Sequence, residues 1–218
     1  MVALALDDVS ASFGEVRVLG PLSLTVNRGE QVALVGKSGA GKSTLLSLMY
    51  KEARIPVAYM PQALGLVETL SVFHNVYMGR LSQHPTWYNL ANLVWPQGKQ
   101  LAAIVPILES LQLAEKRKAP AGELSGGQRQ RTAAARVIFQ GAELLLADEP
   151  VSALDGPLAH VVMQSLSQAY PTSVIAMHDV ELALRYTQRI VGIQHGKVVL
   201  DEPSHRLSPG DLLPLYQG

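Results

Sequence analysis

The sequence predicts an α/β protein built around a mostly parallel sheet, and three observations carry that prediction. A short apolar run, Gln31-Val32-Ala33-Leu34-Val35, leads straight into the glycine-rich segment Gly36-Lys37-Ser38-Gly39-Ala40-Gly41-Lys42-Ser43-Thr44 and then into helix-forming residues. Further apolar runs recur late in the chain, at Leu144–Ala147, Val174–Met177 and Ile190–Ile193, each separated by helical stretches. Strands that alternate with helices imply parallel pairing with crossover connections. The run at Leu144 ends in two carboxylates, Asp148 and Glu149. In an open α/β sheet the carboxyl ends of the strands border the crevice where ligands bind.

Each element can be justified in order. Leu4–Leu6, Val16–Leu19 and Leu22–Val26 read as three strands of a meander, with Asn27-Arg28-Gly29-Glu30 turning into the strand at Gln31. The segment Gly36–Thr44 fits the G-x-x-x-x-G-K-[ST] phosphate-binding pattern. A glycine loop opening onto a helix N-terminus offers backbone N–H groups and a partial positive charge to an anion. Lys42 adds a point charge for the β- and γ-phosphates, and the Ser43 hydroxyl suits a Mg²⁺ ion. Residues 63–140 read as mostly helical, with apolar positions at helical spacing from Leu101 to Leu113. Pro85, Pro96, Pro106 and Pro120 predict that these helices are short or kinked. His195-Gly196-Lys197 reads as a hairpin turn into Val198-Val199-Leu200.

Composition narrows the function classes. Lys+Arg and Asp+Glu both total 18 in 218 residues, and this balance counts against nucleic-acid binding. With no cysteine, disulfides and thiolate metal sites are impossible, which suits a reducing compartment. The N-terminal residues lack the basic and apolar pattern of a secretion signal, and no apolar run reaches transmembrane length. A soluble cytoplasmic protein is expected. The high apolar content, 48% against 17% charged, suggests that part of the surface meets a partner.

Two further motifs carry chemistry. Asp148 at a strand end is placed to hold Mg²⁺, and Glu149 to polarise a water that attacks a γ-phosphate. In Leu124-Ser125-Gly126-Gly127-Gln128, Ser125 can cap a helix beginning near Gln128 and leave N–H groups for a second anion.

The phosphate loop, Gln62, Leu124–Gln128, Asp148-Glu149-Pro150, Ser152-Ala153-Leu154-Asp155 and His178 occur in this order. On these motifs nearly the whole chain resembles the ATP-binding-cassette (ABC) ATPases. The resemblance implies a P-loop NTPase of ABC type, a single domain over 1–218. Residues 1–62 and 141–218 would form the nucleotide-binding core, and about 63–140 an inserted helical subdomain. It implies Mg-ATP as cofactor and substrate. Phe13 would stack on adenine, Gln62 would touch Mg²⁺ and the attacking water, and His178 would contact the γ-phosphate. Ser125, Gly126, Gly127 and Gln128 would face the ATP of a partner subunit, itself or a paralogue, in a head-to-tail dimer, with Asp155 communicating across it. Integral-membrane permease subunits would be the other partners, placing the chain on the cytoplasmic face of the inner membrane. The stretch Gly79-Arg80-Leu81 with Pro85-Thr86-Trp87 is similar to the ATPases of phosphonate importers. An export or lipoprotein-release ATPase, or a nucleotide-binding regulatory module, would share the same motifs.

The chain departs from that family in one place. Gln62 lies only 20 positions beyond Lys42. Family members have a longer stretch there, so a trimmed antiparallel β-subdomain is expected. Coupling through Gln62 would feel this deletion before nucleotide binding does.

Overall fold

The computed structural model describes residues 1–14 and 16–216, and the side chains of Phe13 and Val16 lie outside that description. The described chain divides into two compact units: Met1–Gln62 with Ala142–Ser152 and Tyr170–Gly218, and Ala63–Gly141 with Ala153–Ala169.

The first unit begins with a long antiparallel pair, β1 (Val2–Phe13) and β2 (Val16–Asn27). The two strands expected at Val16–Leu19 and Leu22–Val26 are therefore one. Gly20-Pro21, which reads as a turn, instead produces a shift in pairing register between Ala11↔Leu19 and Val9↔Leu22. An irregularity of this kind absorbs residues without reversing the chain. The Gly20 N–H is spent on the Gly196 carbonyl at 2.7 Å.

The rest of this unit is a six-stranded sheet in the order β4-β5-β6-β3-β7-β8. Its strands are β3 (Gln31–Val35), β4 (Val57–Met60), β5 (Leu144–Asp148), β6 (Ser173–Ala176), β7 (Arg189–Gln194) and β8 (Lys197–Pro203). The first five in that spatial order run parallel, and β8 returns antiparallel through the turn at His195-Gly196. Strands β3, β5 and β6 are buried at every position, which explains their continuous apolar runs. Helix α1 (Lys42–Glu52) buries Leu45, Leu46 and Met49 in a core with Leu4, Leu24, Leu34, Leu146 and Val191. Burying each such side chain contributes about 1.5–3 kcal/mol. Arg189 ties the layers together: it is bidentate to Asp201, at 2.5 and 2.7 Å, and also bonds the Thr25 carbonyl and Glu30. These carboxylate partners raise its pKa.

Only Ala53–Pro56 separates α1 from β4, so no further strand intervenes there. β4 is nevertheless firmly paired, from Val57↔Leu144 to Met60↔Ala147.

The second unit is helical: α2 (Val72–Tyr77), α3 (Thr86–Val94), α4 (Gly98–Ser110), α5 (Gly126–Gln140) and α6 (Gly156–Ala169). Pro85 sits at the N-cap of α3 and Pro96 in the link to α4, whereas α4 continues through Pro106. The compact helical unit thus gathers α6 from beyond the interval expected from sequence, 63–140. Helix α5 is its centre, with Ala133, Ala134, Ala135, Val137 and Phe139 buried and α2, α4 and α6 packed around it. Small alanines on that face let the neighbouring helices approach closely.

The candidate nucleotide site

In the first unit, parallel strands deliver chemistry to one edge. β3 leads to Gly36, β4 leads to Gln62, β5 ends in Asp148 before Glu149, and β6 is followed by Met177 and His178. Because these strands run the same way, their carboxyl ends meet around one cleft. Val18, Ser38, Gly39, Gly41, Lys42, Ser43, Thr44, Gln62 and Glu149 line it.

The loop Gly36–Thr44 has the geometry its glycines permit. Gly36 sits at φ 144°, and a Cβ there would lie 2.2 Å from the Ile193 carbonyl oxygen. Only glycine tolerates both conditions. The Lys42 side chain is buried, and its ammonium donates to the Gly36 and Lys37 carbonyls at 2.6 and 3.1 Å. Burial pushes its pKa below the ordinary lysine value, while Glu149 and then Asp148 pull it back up. A buried cation held beside two carboxylates fits a site that takes a polyanion with a divalent cation. Ser43 is exposed at the start of α1.

Asp148 is buried at the end of β5, whereas Glu149 turns back at φ 52°, a left-handed conformation that costs a non-glycine residue about 1–3 kcal/mol. Its N–H is anchored on the Ala176 carbonyl at 3.0 Å. The Glu149 Oε1 lies 2.6 Å from His178 Nε2. Directly after His178, the Asp179 side chain caps α7 (Val180–Tyr186) by accepting from the Leu182 N–H at 2.9 Å, which fixes the backbone at this corner. Among the described residues no cluster of three or more His, Cys, Asp or Glu side chains could hold a metal alone. Phe13 ends β1, and its side chain lies outside the described residues.

The second unit carries the other motif by itself. Ser125 caps α5: its Oγ accepts from the Gln128 N–H, while Gln128 Oε1 accepts from the Ser125 N–H at 3.1 Å. The remaining early N–H groups of α5 lead the helix at Gly126 and Gly127. A Cβ on Gly127 would lie 3.0 Å from Leu154 Cδ2 and 3.1 Å from the Ala153 carbonyl oxygen. Gln130 accepts from the Ala153 N–H at 2.8 Å, and Asp155 caps α6 through the Leu158 N–H at 3.2 Å. The Ser125–Gln128 turn and the Ala153–Asp155 loop are thus one packed assembly. Gly127→Val is expected to lower the stability of this unit by about 1–3 kcal/mol through overpacking. A thermal unfolding midpoint equal to that of the parent chain would contradict this contact.

Sequence reading missed three supporting side chains. Arg131 bonds the Leu111 and Gln112 carbonyls at 2.9 Å each, fixing the approach to α5. Arg136 bonds the carbonyls of Leu64 and Gly65, securing the chain shortly after Gln62. Tyr216 lies beside His178. A basic residue on a buried helix face is the one signal that could have pointed to Arg131 and Arg136.

The family model for ABC transporters matches residues 19–56 and 50–152. The chain belongs to the ABC transporter family. The match divides within residues 50–56, where the connection between α1 and β4 is short. The chain is 35% identical over 248 residues to a phosphonates import ATP-binding protein of Maricaulis maris, covering 99% of this chain and 93% of that one. It is also 35% identical over 245 residues to the corresponding protein of Lactobacillus acidophilus, with 99% and 95% covered. Both alignments are longer than the chain itself, so these relatives hold internal residues that it lacks. Among solved structures, a dimeric ATP-binding cassette bound to ADP and phosphate in a post-hydrolysis state superposes with a TM-score of 0.79. It is 25% identical, over 94% of this chain and 99% of that one. This ABC chain is an ATP-binding, ATP-hydrolysing transporter subunit. ABC cassettes form dimers and work with membrane permease subunits. Among the described residues no helix is long and apolar enough to cross a membrane.

Proposed function

We propose that this subunit powers the import of phosphonate-like anions through separate membrane subunits, against whose cytoplasmic face it sits. The observation that carries this reading is the 35% identity, over 99% of the chain, to phosphonates import ATP-binding proteins. ATP occupies the loop Gly36–Thr44, with Phe13 against the base and Lys42 against the β- and γ-phosphates. Ser43, Gln62 and Asp148 offer oxygen donors of the kind Mg²⁺ takes, and the ion would neutralise charge across the phosphates. Glu149 orients the attacking water and His178 serves the γ-phosphate. The two side chains stand together, 2.6 Å apart.

Ser125, Gly126, Gly127 and Gln128 of one protomer close on the γ-phosphate held by its partner, with Asp155 at the seam. Two equivalent sites then form from one isologous interface. Closure draws on binding energy that exists only with ATP present. Hydrolysis removes it, and the Gln62 loop passes the motion onward.

The second unit supplies the membrane-subunit dock. A groove between α2 and α3 is lined by Leu70, His74, Tyr77, Met78, Leu81 and Leu90. Beside it Trp87, Val94 and Trp95 are 70%, 84% and 77% exposed, an unusual concentration of apolar surface. The test is uptake of radiolabelled methylphosphonate by vesicles that contain this chain with the membrane subunits that co-purify with it. ATP-dependent uptake is expected. Transport of another solute class under the same conditions, with no phosphonate taken up, would contradict the import reading.

A further inference from the structure

Helix α3 is built inside out. Its polar side chains face the protein. Asn89 accepts from the Tyr77 hydroxyl at 2.7 Å and donates to the Leu81 and His84 carbonyls. The Tyr88 hydroxyl accepts from Gln100 at 3.2 Å, and the fully buried Asn92 accepts from the Gln97 N–H at 2.9 Å. The apolar side chains face outward. Trp87, Leu90, Ala91 and Val94 fall at i, i+3, i+4 and i+7, one stripe of the helix, and all four are exposed. Trp95, just past the helix end, extends the stripe. A helix with water on its outer side shows the opposite arrangement. No charge offsets the inversion, because the chain from Leu81 to Gly98 contains no Asp, Glu, Lys or Arg.

Positive charge borders one end of the stripe. Trp95 and Pro96 share a cleft of about 590 Å³ with Arg117 and Lys118. The run Lys116-Arg117-Lys118 outnumbers the single Glu115 before it. Among the described residues none of these three cations takes part in an ion pair. An apolar stripe with an indole at each end and free cations beside it is suited to the headgroup boundary of an anionic bilayer. A protein partner would need a rim of polar groups to pair with, and the stripe offers only its two indole N–H groups.

We propose that the stripe from Trp87 to Trp95 seats directly in the surface of an anionic phospholipid bilayer, with Arg117 and Lys118 against headgroup phosphates. The contact is additional to the groove between α2 and α3, and it rests on the reading that the chain works against a membrane.

The test uses the nucleotide-free chain and protein-free vesicles of phosphatidylglycerol and phosphatidylcholine in equal parts. The chain holds two tryptophans, Trp87 and Trp95, so its indole emission reports on this stripe alone. Adding the vesicles should move the emission to shorter wavelength, and lipids brominated in their acyl chains should quench it. Val94→Asp keeps both indoles and is expected to weaken vesicle binding about tenfold, since it removes an apolar side chain from the seated face. Its unfolding midpoint should match the parent's, because Val94 is 84% exposed. Arg117→Gln with Lys118→Gln should weaken binding about fivefold per charge and narrow the preference for anionic over pure phosphatidylcholine vesicles. Emission unmoved by the anionic vesicles would overturn the proposal. So would a shift that V94D leaves at parent strength, or one that appears only when membrane subunits are present in the bilayer. That last result would assign the stripe to a protein contact and leave the import reading standing. Vesicle binding without phosphonate uptake would fail the import reading alone.

Discussion

Replacing Lys42 by methionine is expected to weaken ATP binding by about 10²-fold, the value of a charge-assisted contact of about 3 kcal/mol. The same substitution should remove hydrolysis below detection. Methionine retains most of the buried stem, so the change isolates the ammonium. The effect should reach beyond the nucleotide. Without ATP, the ammonium already bridges the Gly36 and Lys37 carbonyls at 2.6 and 3.1 Å. Its loss leaves those acceptors unpartnered by the lysine, a penalty of about 1–3 kcal/mol. Calorimetric titration with ATP and an unfolding curve without it would read the two effects separately. Parent-like affinity in K42M would remove the loop from the binding site. Arginine should not rescue the lysine, because a planar fork cannot take the place of a compact ammonium inside a closed loop.

The second large effect is expected from Glu149→Gln. The amide keeps the shape of the side chain but cannot accept a proton from the attacking water, so turnover should fall by about 10²–10⁴-fold. Binding of ATP should survive, because Gly36–Ser43 and Lys42 are untouched. The backbone at Glu149 sits at φ 52° directly after β5, with its N–H on Ala176. A near-isosteric change leaves that anchor in place, so misfolding is not expected to account for the loss. Retained turnover in E149Q would reassign the water-orienting role to another group.

How much of this was legible in the sequence depends on how local the determinants are. Gly36–Thr44, Ser125–Gln128 and Asp148-Glu149 are each contiguous, and the chemistry expected of them follows from a turn or a strand end. The burial of β3, β5 and β6 was likewise visible as unbroken apolar runs. Gly20-Pro21 was misread because both residues favour turns, while the pairing of Val9 with Leu22 that keeps the strand going lies at a distance. The grouping of α6 with the helical unit depends on its packing against α5, which no local pattern encodes. Arg136 acts on Leu64 and Gly65, and Tyr216 sits beside Gly36 and His178. Such contacts join residues far apart in the chain, and beyond a basic residue on a helix face a single sequence carries no trace of them.

The shortened connection between α1 and β4 bears on the same point. The deletion raised the expectation of a loosened Gln62. In the fold, β4 pairs residue by residue with β5, so Gln62 follows a strand registered to the one that carries Asp148. Beyond Gln62, Arg136 holds the next residues. The connection is trimmed, but the strand before Gln62 and the loop after it are both tied down.

The central claim is that each phosphate loop is half of a site completed by the Ser125–Gly127 turn of a second protomer. Analytical ultracentrifugation of E149Q with and without ATP tests it most directly. The account predicts a monomer without nucleotide and a stable dimer in ATP that Gly127→Val abolishes. An E149Q chain that binds ATP and stays monomeric at every concentration would contradict it.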